Sequence, residues 1–460
     1  MSLNSLSLIL IFPITTLINF SLPKEKQKYW LLFISLSLLL LGDIRFLLTI
    51  LSCIIITYLG AIKISSASQN TRSLLLALTV CFNIGLIVAF RIPFIHNIIY
   101  PIGISFYTLQ AVSYLAMVYR NDIPPEKDFI SLALYLSFFP TVSSGPIERA
   151  NKLLPQIKNG NSFDYDKARH GLYNLFSGFI LKYLLADKIA VMVDYAYSNH
   201  NSLSGAAVLW GIFLYGFRLF ADFAGYSLLA LGYANMLGYD ITINFKQPYL
   251  STSVTEFWNR WHISLSSWLK NYIYIPLGGN KKGKFRKKLN LLITFMVSGL
   301  WHGIGLNYLV WGLIHALYQI VGHLLPKPGK LSYIGKILRI IRTFILIDFA
   351  WIFFRASSLT EAIEIIKQIL FKFDFKKMTY YGEYCLGTSK LYVLAVIVGI
   401  AIFIVFEVLH EKGLYLEKIL QEKKYLILRW TMYIFITLFI ITIILRGYGE
   451  SATNFIYADF

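Results

Sequence analysis

The chain is short of acids and of cysteine. Its 460 residues hold 24 Asp and Glu against 43 Lys and Arg, and charged residues make up only 15% of it. With 57% apolar residues and a mean hydropathy of +0.60, it lacks the polar surface a soluble protein needs and reads as a multispanning membrane protein. The three cysteines, Cys53, Cys81 and Cys385, lie far apart. No pair has metal-ligand spacing, and an odd count argues against a disulfide framework. No metal site is expected. Gly-x-Ser-x-Gly is absent, so an α/β-hydrolase nucleophile is not indicated, and no cysteine offers itself for covalent catalysis. No basic residue precedes Lys24. The first apolar run therefore lacks the charged start of a cleavable signal peptide and is expected to be retained.

The net charge of +19 first suggests nucleic acid. Its distribution excludes that reading, because Lys and Arg gather in short loops between apolar runs, as in cytoplasmic loops that meet anionic lipid. Lys24–Lys28, Lys63–Arg72, Arg120–Lys127 and Lys281–Lys288 are expected to face the cytoplasm, which places the N-terminus outside.

Apolar runs fall near residues 5–21, 29–42, 45–62, 74–92, 98–119, 128–144, 170–194, 206–235, 289–306, 307–325, 336–354, 391–409 and 425–445. Several are short or interrupted by Pro and Gly, so some are re-entrant. The expectation is an all-α integral membrane protein with about eleven transmembrane helices plus re-entrant and cytoplasmic helices, in one domain over residues 1–460. No internal repeat is evident. Residues 356–390 read as a loop with one surface helix.

The densest polar and aromatic stretch inside this apolar chain is Asn244–His302. Such density in a bilayer protein implies a use for it. Read as one helix, Glu256–Lys270 puts Phe257, Trp258, Trp261, Leu265, Trp268 and Leu269 on one face and Glu256, Asn259, Arg260, Ser264, Ser267 and Lys270 on the other. His262 falls among the apolar residues, either hydrogen-bonded in the core or facing a buried cavity. From Leu289 to Gly305 a second helix is expected, on which Asn290, Thr294, Ser298 and His302 recur every four residues as a polar stripe. Gly299, Gly303 and Gly305 around the histidine leave room for another backbone or a ligand, so the stripe is expected to line a cavity. His302 lies 14 residues past Lys288, roughly 21 Å along a helix, at membrane depth.

Imidazole is suited to moving a proton near neutral pH, which makes His302 the leading candidate. The plainer account is a histidine bonded to a helix carbonyl. Trp311, His315, Gln319 and His323 form another set at a spacing of four, for which packing against the Asn290–His302 helix suffices. His96, His170, His200 and His410 need no special role. Arg218 and Asp222 are four apart inside an apolar run and read as an ion pair within one helix, with Tyr226 a turn further on. Still, an acid at that depth is also a functional candidate. Gly278–Lys284 imitates the start of a phosphate-binding loop, but Phe285 stands where Ser or Thr is required and the strand-to-helix context is missing. It reads instead as a turn.

Six segments resemble a known family: PIGISFYTLQAVSYLAMVYR at 101–120, FFPTVSSGPIER at 138–149, FADFAGYSLLALGYANMLGY at 220–239, NFKQPYLSTSVTEFWNRWHISLSSWLKNYIYIPLGGNKKG at 244–283, SGLWHG at 298–303 and WIFFR at 351–355. Through them the chain is similar to the membrane-bound O-acyltransferases, in the bacterial branch that includes the membrane subunit of alginate O-acetylation. The core motifs lie within residues 101–323. The resemblance implies tilted helices around a central tunnel. It makes His302, in GLWHG, the match to the family's catalytic histidine and His262, in WNRWHISLS, the match to its second histidine. Asp222 matches a tunnel-lining position, and Ser298, Asn259, Trp301 and Tyr226 join it as candidate lining residues.

The resemblance also implies a cytoplasmic acyl thioester donor, acetyl-CoA, as a co-substrate rather than a permanently bound cofactor. The acceptor is a hydroxyl of an extracytoplasmic polysaccharide. Membrane lipids and a separate extracytoplasmic esterase-like partner are the other expected partners, and the location is the cytoplasmic membrane. The alternative enzyme is D-alanyl transfer to teichoic acid from a carrier-protein thioester; the YIPLGGNKKG segment and the closing NFIYADF favour the alginate-type branch. A transporter whose polar stripes line a substrate path is the alternative from another class.

Overall fold

A computed structural model describes residues 3, 5–91, 101–324, 332–420 and 425–445. His96 and the closing NFIYADF lie outside the described residues. Among the described residues the chain is helical and contains no strand. Four helices among the described residues are long and apolar enough to cross a membrane: Ile44–Ser66, Gln69–Arg91, Gly205–Met236 and Lys390–Glu411. The sequence expectation of about eleven spans is therefore met at this level only by a membrane protein with several apolar helices.

The chain divides into two compact units. The first comprises Met1–Phe179, Tyr226–Ile243 and Met432–Phe460. Here Asp43 ends one helix and caps the next, accepting from the Arg45 N–H at 2.7 Å. Two helices of this unit are pinned by Cys53, whose thiol donates to the Asn83 side-chain oxygen across 3.0 Å; both residues are fully buried. The apolar run at 128–144 is broken at Phe138 into Phe129–Ser137 and the four-residue Phe139–Val142. Neither piece is long enough to span a bilayer, as a re-entrant reading requires.

The second unit comprises Ile180–Gly225 and Asn244–Thr431. A π-helical turn, Ile180–Ala186, leads into the helix Asp187–Ser198. Such a turn is wider than an α-turn and is common at functional positions. It carries Lys182, which is fully buried and lies 2.8 Å from Asp222 and 2.9 Å from Asp187. The expected Arg218–Asp222 pair is accordingly absent. Arg218 instead reaches Asp194 at 2.6 Å, and Arg355 reaches the same oxygen at 2.8 Å. Helical spacing allows an i,i+4 pair, but a buried lysine can be held only beside acids, and Lys182 takes Asp222.

Three more sequence expectations are corrected. Lys281–Lys288 is not all loop, because the helix Gly283–His302 begins inside it. That helix stops at His302 rather than running on to Gly305. Residues 356–390 hold two helices, Leu359–Phe371 and Phe375–Tyr380, instead of one.

Candidate active site

The helix expected over Glu256–Lys270 is broken. Val254–Arg260 and Ile263–Leu269 are separate helices, and His262 between them is in the left-handed region at φ 42°, ψ 54°. That conformation costs a residue with a Cβ about 1–2 kcal/mol. Asn244, itself fully buried, holds the break. Its carbonyl accepts from the Ile263 N–H at 2.9 Å and its side-chain oxygen from the Ser264 N–H at 3.3 Å. Arg260 ties the first helix to its surroundings, 2.7 Å from Glu256 and 2.7 Å from Glu411. Burial pushes the Glu256 carboxyl up, but the Thr252 N–H and hydroxyl and the Arg260 guanidinium outweigh it, so the net shift is downward. Burying Val254, Phe257 and Trp258 turns Asn259 to the exposed face, so the structure does not bring Asn259 to this cluster.

The break turns His262 into the unit. It is 1% exposed, with its ring edge-on to Phe223 at 4.6 Å and 6.0 Å from Trp301. Trp301 in turn packs against His302 at 4.7 Å. Two histidines forty residues apart in sequence thus contact one indole ring.

The helix Gly283–His302 ends on His302 and lies antiparallel to Leu306–Leu324. Two glycines set their approach. A Cβ on Gly299 would come within 2.3 Å of the Tyr308 carbonyl oxygen, and one on Gly312 within 2.3 Å of that of Phe295. Of the two options the sequence left open, Gly299 admits a backbone. The polar stripe is buried as a whole: Asn290, Thr294, Ser298 and His302 are all largely enclosed. Asn290 donates to the Gly279 carbonyl at 3.0 Å and Thr294 to the Asn290 carbonyl at 2.6 Å. Ser298 has no hydrogen-bond partner for its hydroxyl.

His302 is enclosed by aromatic rings, with Trp311 at 5.2 Å and Phe354 at 5.0 Å besides Trp301. It is only 3% exposed. Within this unit the rings form a tight aromatic cage around it. Asp222 sits with Lys182 and Asp187, and Tyr226 is buried in the first unit. Sequence reasoning missed Lys182, although a lysine inside the apolar run at 170–194 was the available signal. It also treated Trp258 and His315 as packing. In the structure the Trp258 indole N–H donates to His315 Nδ1 at 3.2 Å.

The sequence model of the membrane-bound O-acyltransferase family, MBOAT, matches residues 27–327. The chain belongs to this family. Both motif histidines fall within the matched region, as do Trp301 and Trp311 of the cage, while Phe354 lies beyond it. Among similar proteins, the probable alginate O-acetylase AlgI of Pseudomonas putida is 40% identical over 274 residues, covering 59% of this chain and 55% of that protein. The peptidoglycan O-acetyltransferase of Helicobacter pylori is 31% identical over 384 residues, covering 74% and 73%. The teichoic acid D-alanyltransferase of Bacillus subtilis is 31% identical over 249 residues, covering 51% and 62%. The chain spans little more than half the length of the alginate relatives it matches first.

Proposed function

We propose that this MBOAT member is an O-acetyltransferase that moves acetyl from a cytoplasmic thioester, acetyl-CoA, towards hydroxyls of an extracytoplasmic polysaccharide. The observation that carries the reading is that His262 and His302 both pack against the Trp301 ring. The similarity to proteins named as alginate and peptidoglycan O-acetyltransferases supports the substrate class.

In this reading His302 takes the proton of the acceptor hydroxyl as its oxygen attacks the thioester carbonyl. The tetrahedral intermediate collapses with loss of the thiolate, which receives that proton. His262 positions or polarises the donor, and Ser298 and Trp301 line the approach. The cage excludes water and so limits thioester hydrolysis. The basic start of the Gly283–His302 helix attracts the anionic donor. The protein sits in the cytoplasmic membrane with its N-terminus outside, its eleven or so spans surrounding a tunnel, and a separate extracytoplasmic esterase-like protein completing transfer. D-alanyl transfer is the second reading, favoured by the similarity to the teichoic acid enzyme.

The test is turnover of labelled acetyl-CoA by purified protein, with alginate and peptidoglycan fragments as acceptors. His302→Gln is expected to cut transfer about 100-fold or more while the thermal midpoint is kept. Full activity in that variant would refute the assignment, and uptake of intact substrate without thioester consumption would instead favour a transporter.

A further inference from the structure

Buried polar atoms without a protein partner gather around the aromatic cage. Trp311 Nε1 and His315 Nε2 lie on the helix Leu306–Leu324, and Trp351 Nε1 lies on Tyr333–Arg355. All three side chains are at most 1% exposed. Their rings share one neighbourhood: His315 is 4.9 Å from Trp311 and 6.1 Å from Trp351, and the two indoles stack at 5.9 Å. Trp311 also touches the His302 ring at 5.2 Å. An unmet buried donor costs about 1–3 kcal/mol. Three such groups on adjoining rings offer donors that an acceptor other than protein can meet.

The His315 proton can be placed. Trp258 Nε1 can only donate, and it lies 3.2 Å from His315 Nδ1. Nδ1 must then accept, so the imidazole is neutral and carries its proton on Nε2. Nε2 lies across the ring from Nδ1, on the side away from Trp258, and is left as a fully buried N–H donor. A structural histidine needs only the first of these bonds. The second donor is the part packing does not account for.

We propose that His315 Nε2–H, with the indole N–H groups of Trp311 and Trp351, donates to the carbonyl oxygen of the acyl thioester. This rests on the acyl-transfer reading above. As the acceptor oxygen bonds to the carbonyl carbon, the carbonyl π pair moves onto oxygen. These donors stabilise the charge that develops there. Collapse re-forms the carbonyl and breaks the C–S bond. The acceptor's proton, held by His302, then passes to the thiolate.

Two substitutions separate this role from a structural one. His315→Asn can place an oxygen where Nδ1 was and keep the bond from Trp258, but it does not reach the Nε2 position. His315→Gln reaches the Nε2 position with an amide N–H and gives up the Nδ1 acceptor. The full-length protein is assayed with acetyl-CoA and the same two acceptors, reading kcat and the KM for acetyl-CoA beside the thermal midpoint. The expected result is a loss in kcat of about 100-fold for His315→Asn at an unchanged midpoint, with His315→Gln well above it. The reverse order, Asn active and Gln impaired, would show a purely structural histidine and overturn the proposal. Trp311→Phe and Trp351→Phe keep the ring packing and remove only the N–H. Each is expected to lower kcat several-fold, and wild-type rates in both would mean that these donors meet nothing but water, which also overturns it. His302→Gln run alongside distinguishes the failures: if it stays active, the acyl-transfer reading falls; if it is dead while His315→Asn is fully active, only this inference falls.

Discussion

His262 and His302 both pack against the Trp301 ring, with centroid separations of 6.0 Å and 4.7 Å. His262 reaches that position only because its backbone is left-handed, at φ 42°. Strain of this kind is held where the surrounding structure over-determines it, often at functional sites. Here the two bonds from Asn244 supply the hold.

That strain can be measured. His262→Gly and His262→Ala both remove the imidazole and should both impair acyl transfer. Gly adopts φ > 0 freely, whereas Ala carries a Cβ into it. The Gly variant should therefore be the more stable of the two by about 1 kcal/mol, although it removes more volume. Thermal melts in detergent would show the order, and a more stable Ala variant would mean that the chain at 262 relaxes.

Lys182 faces two acids, Asp222 at 2.8 Å and Asp187 at 2.9 Å. Lys182→Met removes the cation that both acids share, in a place where Asp222 is only 2% exposed. A loss of about 3–5 kcal/mol is expected. Asp222→Asn leaves Lys182 still paired with Asp187 and should cost clearly less. Combining Lys182→Met with Asp222→Leu should recover part of the loss. Equal melting points for the two single variants would contradict this arrangement.

The contact between Gly283–His302 and Leu306–Leu324 should reject even one methyl. In an open helix Gly→Ala gains up to about 1 kcal/mol. At Gly299 and Gly312 the new Cβ would sit 2.3 Å from a carbonyl oxygen. Each substitution should instead destabilise by about 1–3 kcal/mol. Because His302 ends the displaced helix, activity should fall further than stability, and an unchanged rate and melt for Gly299→Ala would refute the close approach.

The Glu256 carboxyl, held by the Thr252 N–H and hydroxyl and by Arg260, gives a pH signature. The Glu256 carboxyl lies below its ordinary value of 4.5. A depressed acid contributes stability that is fully present above the unfolded value and is lost as pH falls through the folded one. Melting temperature from about pH 6 down to about pH 3 should therefore fall more steeply for the wild type than for Glu256→Gln. Parallel curves would exclude the effect.

Much of the site was legible in the sequence. The fourfold spacing of Asn290, Thr294, Ser298 and His302 marks one helix face whatever the helix packs against, and in the structure all four are buried. Other features were not legible, because they depend on partners distant in the chain. Helical periodicity joins Val254–Arg260 to Ile263–Leu269, since the break at His262 is imposed by Asn244 from outside. The i,i+4 spacing of Arg218 and Asp222 suggested a pair that Lys182 and Asp194, on neighbouring segments, divide between them. His315 looked like packing because its bond comes from Trp258, 57 residues away.

The sequence by itself determined that this is a helical membrane protein, which family it belongs to, and which two histidines carry the family's motifs. These are matters of composition, local period and the order of residues along the chain. Only the tertiary structure decided that those histidines share one indole, that a buried lysine claims Asp222, and on which nitrogen His315 holds its proton. Each of these depends on which groups meet across helices, and a buried charge or donor takes the partner that folding brings within hydrogen-bond reach.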